Sequence, residues 1–115
     1  MRLVRVVNRT RSETLAERAE LADNIWTRFW GLMGRRELPP GSGLVLRPGG
    51  GIHMWFMHLP LDVIHVDQHD RVTHVLRGIE PWRFGPLFVG AKVAIELPVG
   101  VADTTQVGDE VIIEQ

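Results

Sequence analysis

Apolar positions in this chain fall into short runs cut by glycine, proline and polar clusters, the spacing of strands rather than of long helices. Leu3 to Val7 is valine-rich and predicts a first strand. Thr14 to Leu21 has the Ala, Glu and Arg content of a helix, but the short distance between its flanking turn signals favours a strand. Leu44 to Leu46 is a short apolar run, and Ile52 to Met57 is apolar on both faces, so burial on both sides is expected. Leu61 to Val66 and Arg71 to Leu76 form an antiparallel pair across the polar turn Asp67-Gln68-His69-Asp70. Lys92 to Leu97 alternates, with Val93, Ile95 and Leu97 on one face and Lys92, Ala94 and Glu96 on the other. Gly108-Asp109 starts a last strand, Glu110 to Ile113.

A single segment has helical spacing. Asp23 and Asn24 are good N-caps, Ile25, Phe29 and Leu32 share a face with Trp26 and Trp30 beside them, and Gly34 is a stop after Met33. Pro39 to Gly43 and Pro48 to Gly51 are turns, and Gly78 to Gly90 carries no regular pattern. There is no internal repeat or low-complexity tract. The pattern predicts a mainly-β fold: a compact antiparallel β-sandwich or barrel with one short docked helix over about residues 24–33.

Composition narrows the function classes. The 115 residues suit one domain, 1–115, since two halves would be too small for proper cores. With 44% hydrophobic and 23% charged residues the chain is globular in type. A net charge of −1 gives no overall drive toward nucleic acid or an acidic membrane, and neither is expected as a partner. The absence of cysteine removes disulfides, thiol catalysis and cysteine-ligated metal centres. Arg2, Arg5 and Arg9 interrupt the N-terminal valines, unlike a signal peptide, and His53, His58, Pro60, Asp62 and His65 interrupt the most apolar stretch, unlike a spanning helix. A soluble cytoplasmic protein is the expectation.

Three segments carry a family resemblance. The first is Arg28, Gly31-Leu32-Met33 and Arg35; the second is Phe56-Met57, Pro60-Leu61-Asp62-Val63 and Asp67; the third is Leu97-Pro98, Gly100 and Gly108-Asp109. In this order and spacing, over Arg28 to Asp109, they resemble domain-of-unknown-function family 192, also called uncharacterised protein family 0127. The resemblance implies a compact, mainly-β fold and no activity, because that family has no established reaction. Ile52-His53 and Pro81-Trp82-Arg83 look like one branch of it. His58 stands where a lysine is usual in other branches, and His65 where an aromatic residue is expected.

Candidate chemistry centres on Asp62, which lies between Leu61 and Val63 in a strand apolar on both faces. A buried carboxylate needs hydrogen bonds or a cation, or it protonates. One reading is architectural, an ion pair with an arginine or bonds to loop amides; the other places it at the floor of a cleft, orienting a polar ligand. Trp82-Arg83, in the irregular loop between Pro81 and Phe84, can offer an indole face and a guanidinium, or simply pin the loop. The tentative ligand-binding set is Arg28, His53, Asp62, Trp82 and Arg83.

The histidines His53, His58, His65, His69 and His74, with Asp62, Asp67 and Asp70, invite a metal reading, but strand parity scatters them and no helical metal motif exists, so no metal or cofactor is expected. Alternation places Glu96 with Lys92 on a polar face, which reads as solvated rather than as half of an acid/base pair. No phosphate loop or serine nucleophile motif occurs. The reading is a small non-enzymatic binding or accessory domain for a small polar ligand or a protein. The alternatives are a small metal-dependent or acid/base hydrolase and a structural protein-interaction domain. The residues specify neither ligand, reaction nor oligomeric state.

Overall fold

The computed structural model describes residues 2–22, 38–47, 60–79 and 92–115. They contain seven strands: β1 (Arg2–Asn8), β2 (Glu13–Ala22), β3 (Ser42–Leu46), β4 (Leu61–Val66), β5 (Val72–Ile79), β6 (Val93–Leu97) and β7 (Val111–Glu114). These form one sheet in the order β5-β4-β6-β3-β2-β1-β7. The fold is mainly β, as the apolar runs predict. β2 is a strand despite its helix-forming composition, because Leu15, Ala16, Ala19 and Leu21 are buried against the core and tertiary packing overrides propensity. The expected helix over residues 24–33 and the strand over Ile52 to Met57 lie outside the described residues.

The sheet is not wholly antiparallel. β2 and β3 run parallel, with Arg18 opposite Ser42 and Ala22 opposite Leu46. A parallel pair needs a long crossover rather than a hairpin, and residues 23–41 supply one in sequence.

The sheet curls until its two edge strands meet. Arg71 bridges Glu110, and the Val72, Gly108 and Val111 amides donate to the Asp109, Val72 and Asp70 carbonyls at 2.9, 2.8 and 2.9 Å. Those bonds remove part of the exposed edge that an open sheet would present. Inside the curl lies the main core, with Val4, Val6, Leu21, Val45, Ile64, Val72, Ile95 and Val111 drawn from all seven strands. Burial of each such aliphatic side chain stabilises the fold by about 1.5–3 kcal/mol.

Where β5 and β7 diverge, residues 98–109 fill the gap. Arg77 donates from Nε to the Ala102 carbonyl at 3.2 Å and from a terminal nitrogen to the Thr105 carbonyl at 2.6 Å. At the other end of this segment Asp109 accepts from Asn8 at 3.0 Å, from Arg11 at 2.7 Å and from the Gln106 amide at 2.9 Å. Burial opposes ionisation of Asp109, but the hydrogen bonds from Asn8, Gln106 and Arg11 outweigh it and hold the carboxyl below its usual range. The β4–β5 hairpin turn is fixed by Asp67 Oδ1, which accepts from the His69 and Arg71 amides at 2.8 and 3.1 Å.

The two halves of the curl differ on the outside. The outer face of β1 and β7 meets solvent, with Leu3 exposed and Arg5 paired to Glu114 at 3.2 Å. The outer face of β3, β6 and β4 is buried, with a second apolar cluster of Leu38, Leu44, Leu46, Leu61, Val63 and Ala94. That half is a wall with both faces out of water.

Candidate functional site

Asp62 is fully buried at the end of β4, as its apolar neighbours predict. Its Oδ1 accepts from the Gly78 amide at 2.9 Å, and its Oδ2 from the Gly100 and Ala102 amides at 2.9 and 3.1 Å. Gly78 and Gly100 sit at φ +66° and +99°, backbone that a side chain would strain; Gly78 lies at a register shift within β5 and Gly100 in the turn after β6, and there they present their amides to the carboxylate. Asp62 therefore ties β5 and the 98–109 segment to β4. Of its two readings, these bonds support the architectural one, with loop amides in place of an arginine.

Glu96 corrects the solvated reading given by alternation. It is only 4% exposed, and its Oε2 has no hydrogen-bond partner among the described residues. The physical reason lies in the wall. Alternation along β6 separates two faces, but here the face of Ala94 and Glu96 is buried as thoroughly as that of Ile95 and Leu97. Burial pushes the Glu96 carboxyl up to about 8, so it carries its proton at neutral pH.

Pairing registers place the neighbours. Leu44 on β3 and Val63 on β4 stand directly opposite Glu96. One row along, Leu46, Ala94, His65 and His74 align across β3, β6, β4 and β5. His65 is thus the diagonal neighbour of Glu96, at the ~7–8 Å typical of such pairs. His65 is buried and its ring meets that of His74 edge-on, with centroids 6.0 Å apart. Burial, and then the charge of His74, lower the His65 pKa to about 4, which keeps the ring neutral. Glu20 on β2 lies in the Glu96 row beyond Leu44, at a strand-to-strand distance of about 10 Å.

The wall thus offers an apolar floor holding one protonated acid and one neutral imidazole. Sequence reasoning missed Glu96 and the His65–Glu96 neighbourhood. The available signal was a glutamate flanked by Ile95 and Leu97 in a strand, the same signal that marked Asp62.

Of the other sequence candidates, Arg28, His53, Trp82 and Arg83 lie outside the described residues, as does His58. Their positions in sequence are informative all the same. Residues 23–37, 48–59 and 80–91 each join strands that run parallel across the wall, so their flanking residues stand at opposite ends of it. Among the described residues no three His, Asp or Glu side chains converge as a metal site would require. No helix among them is long and apolar enough to cross a membrane.

Comparison with known proteins agrees with this architecture. The profile of family DUF192, described as uncharacterized ACR, matches residues 6–113. The chain belongs to that family. A UPF0127 protein of Thermococcus sibiricus is 36% identical over 116 residues, covering 92% of this chain and 72% of that protein. One from Pyrococcus abyssi is 33% identical over 114 residues, covering 92% and 94%. Among solved structures, a protein of unknown function from Novosphingobium aromaticivorans superposes with a TM-score of 0.81 at 25% identity, over 96% of this chain and 83% of that one. A protein from Sinorhizobium meliloti described as a candidate transcription regulator superposes at 0.79 with 21% identity, over 96% and 92%, a likeness of fold alone. DUF192 is a family of uncharacterised function, so its members pass no activity on to this chain.

Proposed function

We propose that this DUF192 protein is a one-domain, cytoplasmic, non-enzymatic binding module that takes a small ligand against the buried wall of β3, β6 and β4. The observation that carries the reading is Glu96, a buried carboxyl whose Oε2 has no partner among the described residues. Leaving such a group unsatisfied costs about 1–3 kcal/mol, a cost that a bound ligand can offset. Arg28, His53, Trp82 and Arg83 are proposed contacts on sequence position, each in a connection that links opposite ends of this wall. Asp62 is assigned the supporting role of holding segment 98–109 in place. A net charge of −1 disfavours nucleic acid as the ligand.

The test is a thermal-shift screen of sugars, nucleosides, organic acids and amides on the full chain and on Glu96→Leu. A ligand of this site raises the Tm of the wild type by several degrees and leaves the variant unmoved. Equal stabilisation of both proteins would place binding elsewhere. An acid/base hydrolase is favoured by one observation, the protonated Glu96 and the neutral His65 on the same face, since environments that push two pKa values apart suit acid and base roles. Turnover of an ester or glycoside that Glu96→Gln abolishes would move the assignment there.

A further inference from the structure

Residues 98–107 are held differently from the strands around them. Their backbone bonds stay within the segment: the Val101, Asp103 and Thr105 amides donate to the Pro98, Gly100 and Ala102 carbonyls, each at 3.2 Å. The β-ladder stops at Leu97, opposite Asp62, and backbone bonding to the sheet resumes at Gly108, whose amide reaches the Val72 carbonyl at 2.8 Å. Between those points no rung among the described residues joins the segment to a strand. Ala102 and Thr105 are buried and Val101 packs partly against the core, but Val99 and Val107 are exposed. Apolar burial therefore contributes little to keeping the segment down.

Side chains of the sheet do the holding, and they converge on Ala102. Its amide donates to Asp62 Oδ2 at 3.1 Å, and its carbonyl accepts from Arg77 Nε at 3.2 Å. Asp62 also takes the Gly100 amide, Arg77 also reaches the Thr105 carbonyl, and Asn8 donates to the Thr105 hydroxyl at 3.2 Å. At the exposed rim the Thr104 hydroxyl donates to the Glu13 carboxylate at 3.0 Å. Gly108, at φ +94°, gives a bending point at the far end, as Gly100 does at the near one. Bending there breaks these polar bonds but no ladder. The amides and carbonyls set free meet water, so each loss is the net strength of one bond rather than a full desolvation penalty.

We infer that residues 98–107 are a strap, pinned at Ala102 by Asp62 and Arg77, which opens as one unit while the seven-stranded sheet stays folded. Closed, the strap occupies Asp62 Oδ2 and both donating nitrogens of Arg77. Open, it leaves Asp62 with the Gly78 amide on Oδ1 and gives solvent the other oxygen. A carboxylate on β4 and a guanidinium on β5 thus become available together, and only in the open state.

Native-state hydrogen exchange on the full chain tests the strap without any substitution. The Gly100 and Ala102 amides are expected to share one protection factor, roughly a hundredfold or more below those of Val63, Ile64 and Ile95, and to ignore urea below the unfolding transition. Exchange in step with the strand amides, at the same urea dependence, would overturn the proposal, as would unrelated rates for Gly100 and Ala102. The chain has no cysteine, and Ala102 and Ala19 are both fully buried, so Ala102→Cys and Ala19→Cys give a second reading. A thiol reagent should modify Ala102→Cys at a rate that low urea does not change, and Ala19→Cys only at a rate that climbs with urea. Adding Arg77→Ala should speed the first reaction by about tenfold or more, since two charge-assisted bonds are lost. Matching rates and urea responses for the two cysteines, or no effect of Arg77→Ala, would also count against the strap.

Discussion

Asp62→Ala is expected to be the most damaging single substitution in the described part of the molecule. Three amides, those of Gly78, Gly100 and Ala102, lose one shared acceptor, the Asp62 side chain and the Ala102 bond being buried and the other two bonds part-buried. A buried donor left unsatisfied costs about 1–3 kcal/mol and a part-buried one less, so a total of ~3 kcal/mol is expected, a large part of a small domain's stability. The damage spreads because two of the amides belong to the segment that fills the gap between β5 and β7, where Arg77 makes its own bonds to Ala102 and Thr105. Asp62→Asn keeps one carbonyl acceptor but turns an NH₂ toward a backbone N–H, and should lose about half as much. Urea denaturation checks both, with the effect in the midpoint at constant slope. A loss below 1 kcal/mol for the alanine variant would remove Asp62 from its architectural role.

The second large effect is a dependence on pH that runs opposite to the common acid-denaturation pattern. Glu96 has a folded pKa near 8 against an unfolded 4.5, so between those values the native state holds a proton that the unfolded chain has released. Stability from this group is complete below pH 4.5 and is lost as pH rises toward 8, by on the order of 4 kcal/mol. His65 acts in the other direction. Its folded pKa of about 4 lies below the unfolded 6.5, so stability falls as pH drops from 6.5 to 4. The two slopes cancel between about pH 4.5 and 6.5, and above that window Glu96 acts alone. Glu96→Leu should therefore match or slightly exceed the wild type at pH 5 and exceed it by ~3–4 kcal/mol at pH 8, a rise in Tm of more than about 10 °C for a domain this size. Melting curves from pH 5 to 9 decide the point: parallel profiles for the two proteins would mean that Glu96 is not the group responsible. A stabilising substitution at a buried acid is also what a site kept for binding rather than for stability would show.

The strands were legible because β-branched runs and turn residues are local signals; Leu61–Val66 is found with the same bounds in sequence and structure. The burial of Asp62 was legible from its apolar flanks. The parallel β2–β3 pair was not, because neither strand encodes locally which neighbour it takes or in which direction. Glu96 escaped for a related reason. Alternation tells which residues share a face of β6, and only the tertiary fold decides that both faces of the wall leave water. The network of Asn8, Arg11, Thr105 and Asp109 was missed altogether, since its members come from opposite ends of the chain. Arg28, His53, and Trp82 with Arg83 belong to the β2–β3, β3–β4 and β5–β6 connections respectively, outside the described residues.

The seam between the edge strands has a kinetic side. β1 lies between β2, which follows it directly, and β7, and the buried bond from Asn8 to Asp109 closes a loop of 101 residues. The hairpins β1–β2 and β4–β5 can form early from local contacts, but the seam closes only when β7, paired to β1, also meets the start of β5, a search whose entropy precedes its reward. Closure is then the late event in folding, and pulse-labelled hydrogen exchange would find the Ile112 to Glu114 amides among the last protected. The edge that is most exposed to wrong partners is consequently left open for most of the time the chain spends reaching its native state.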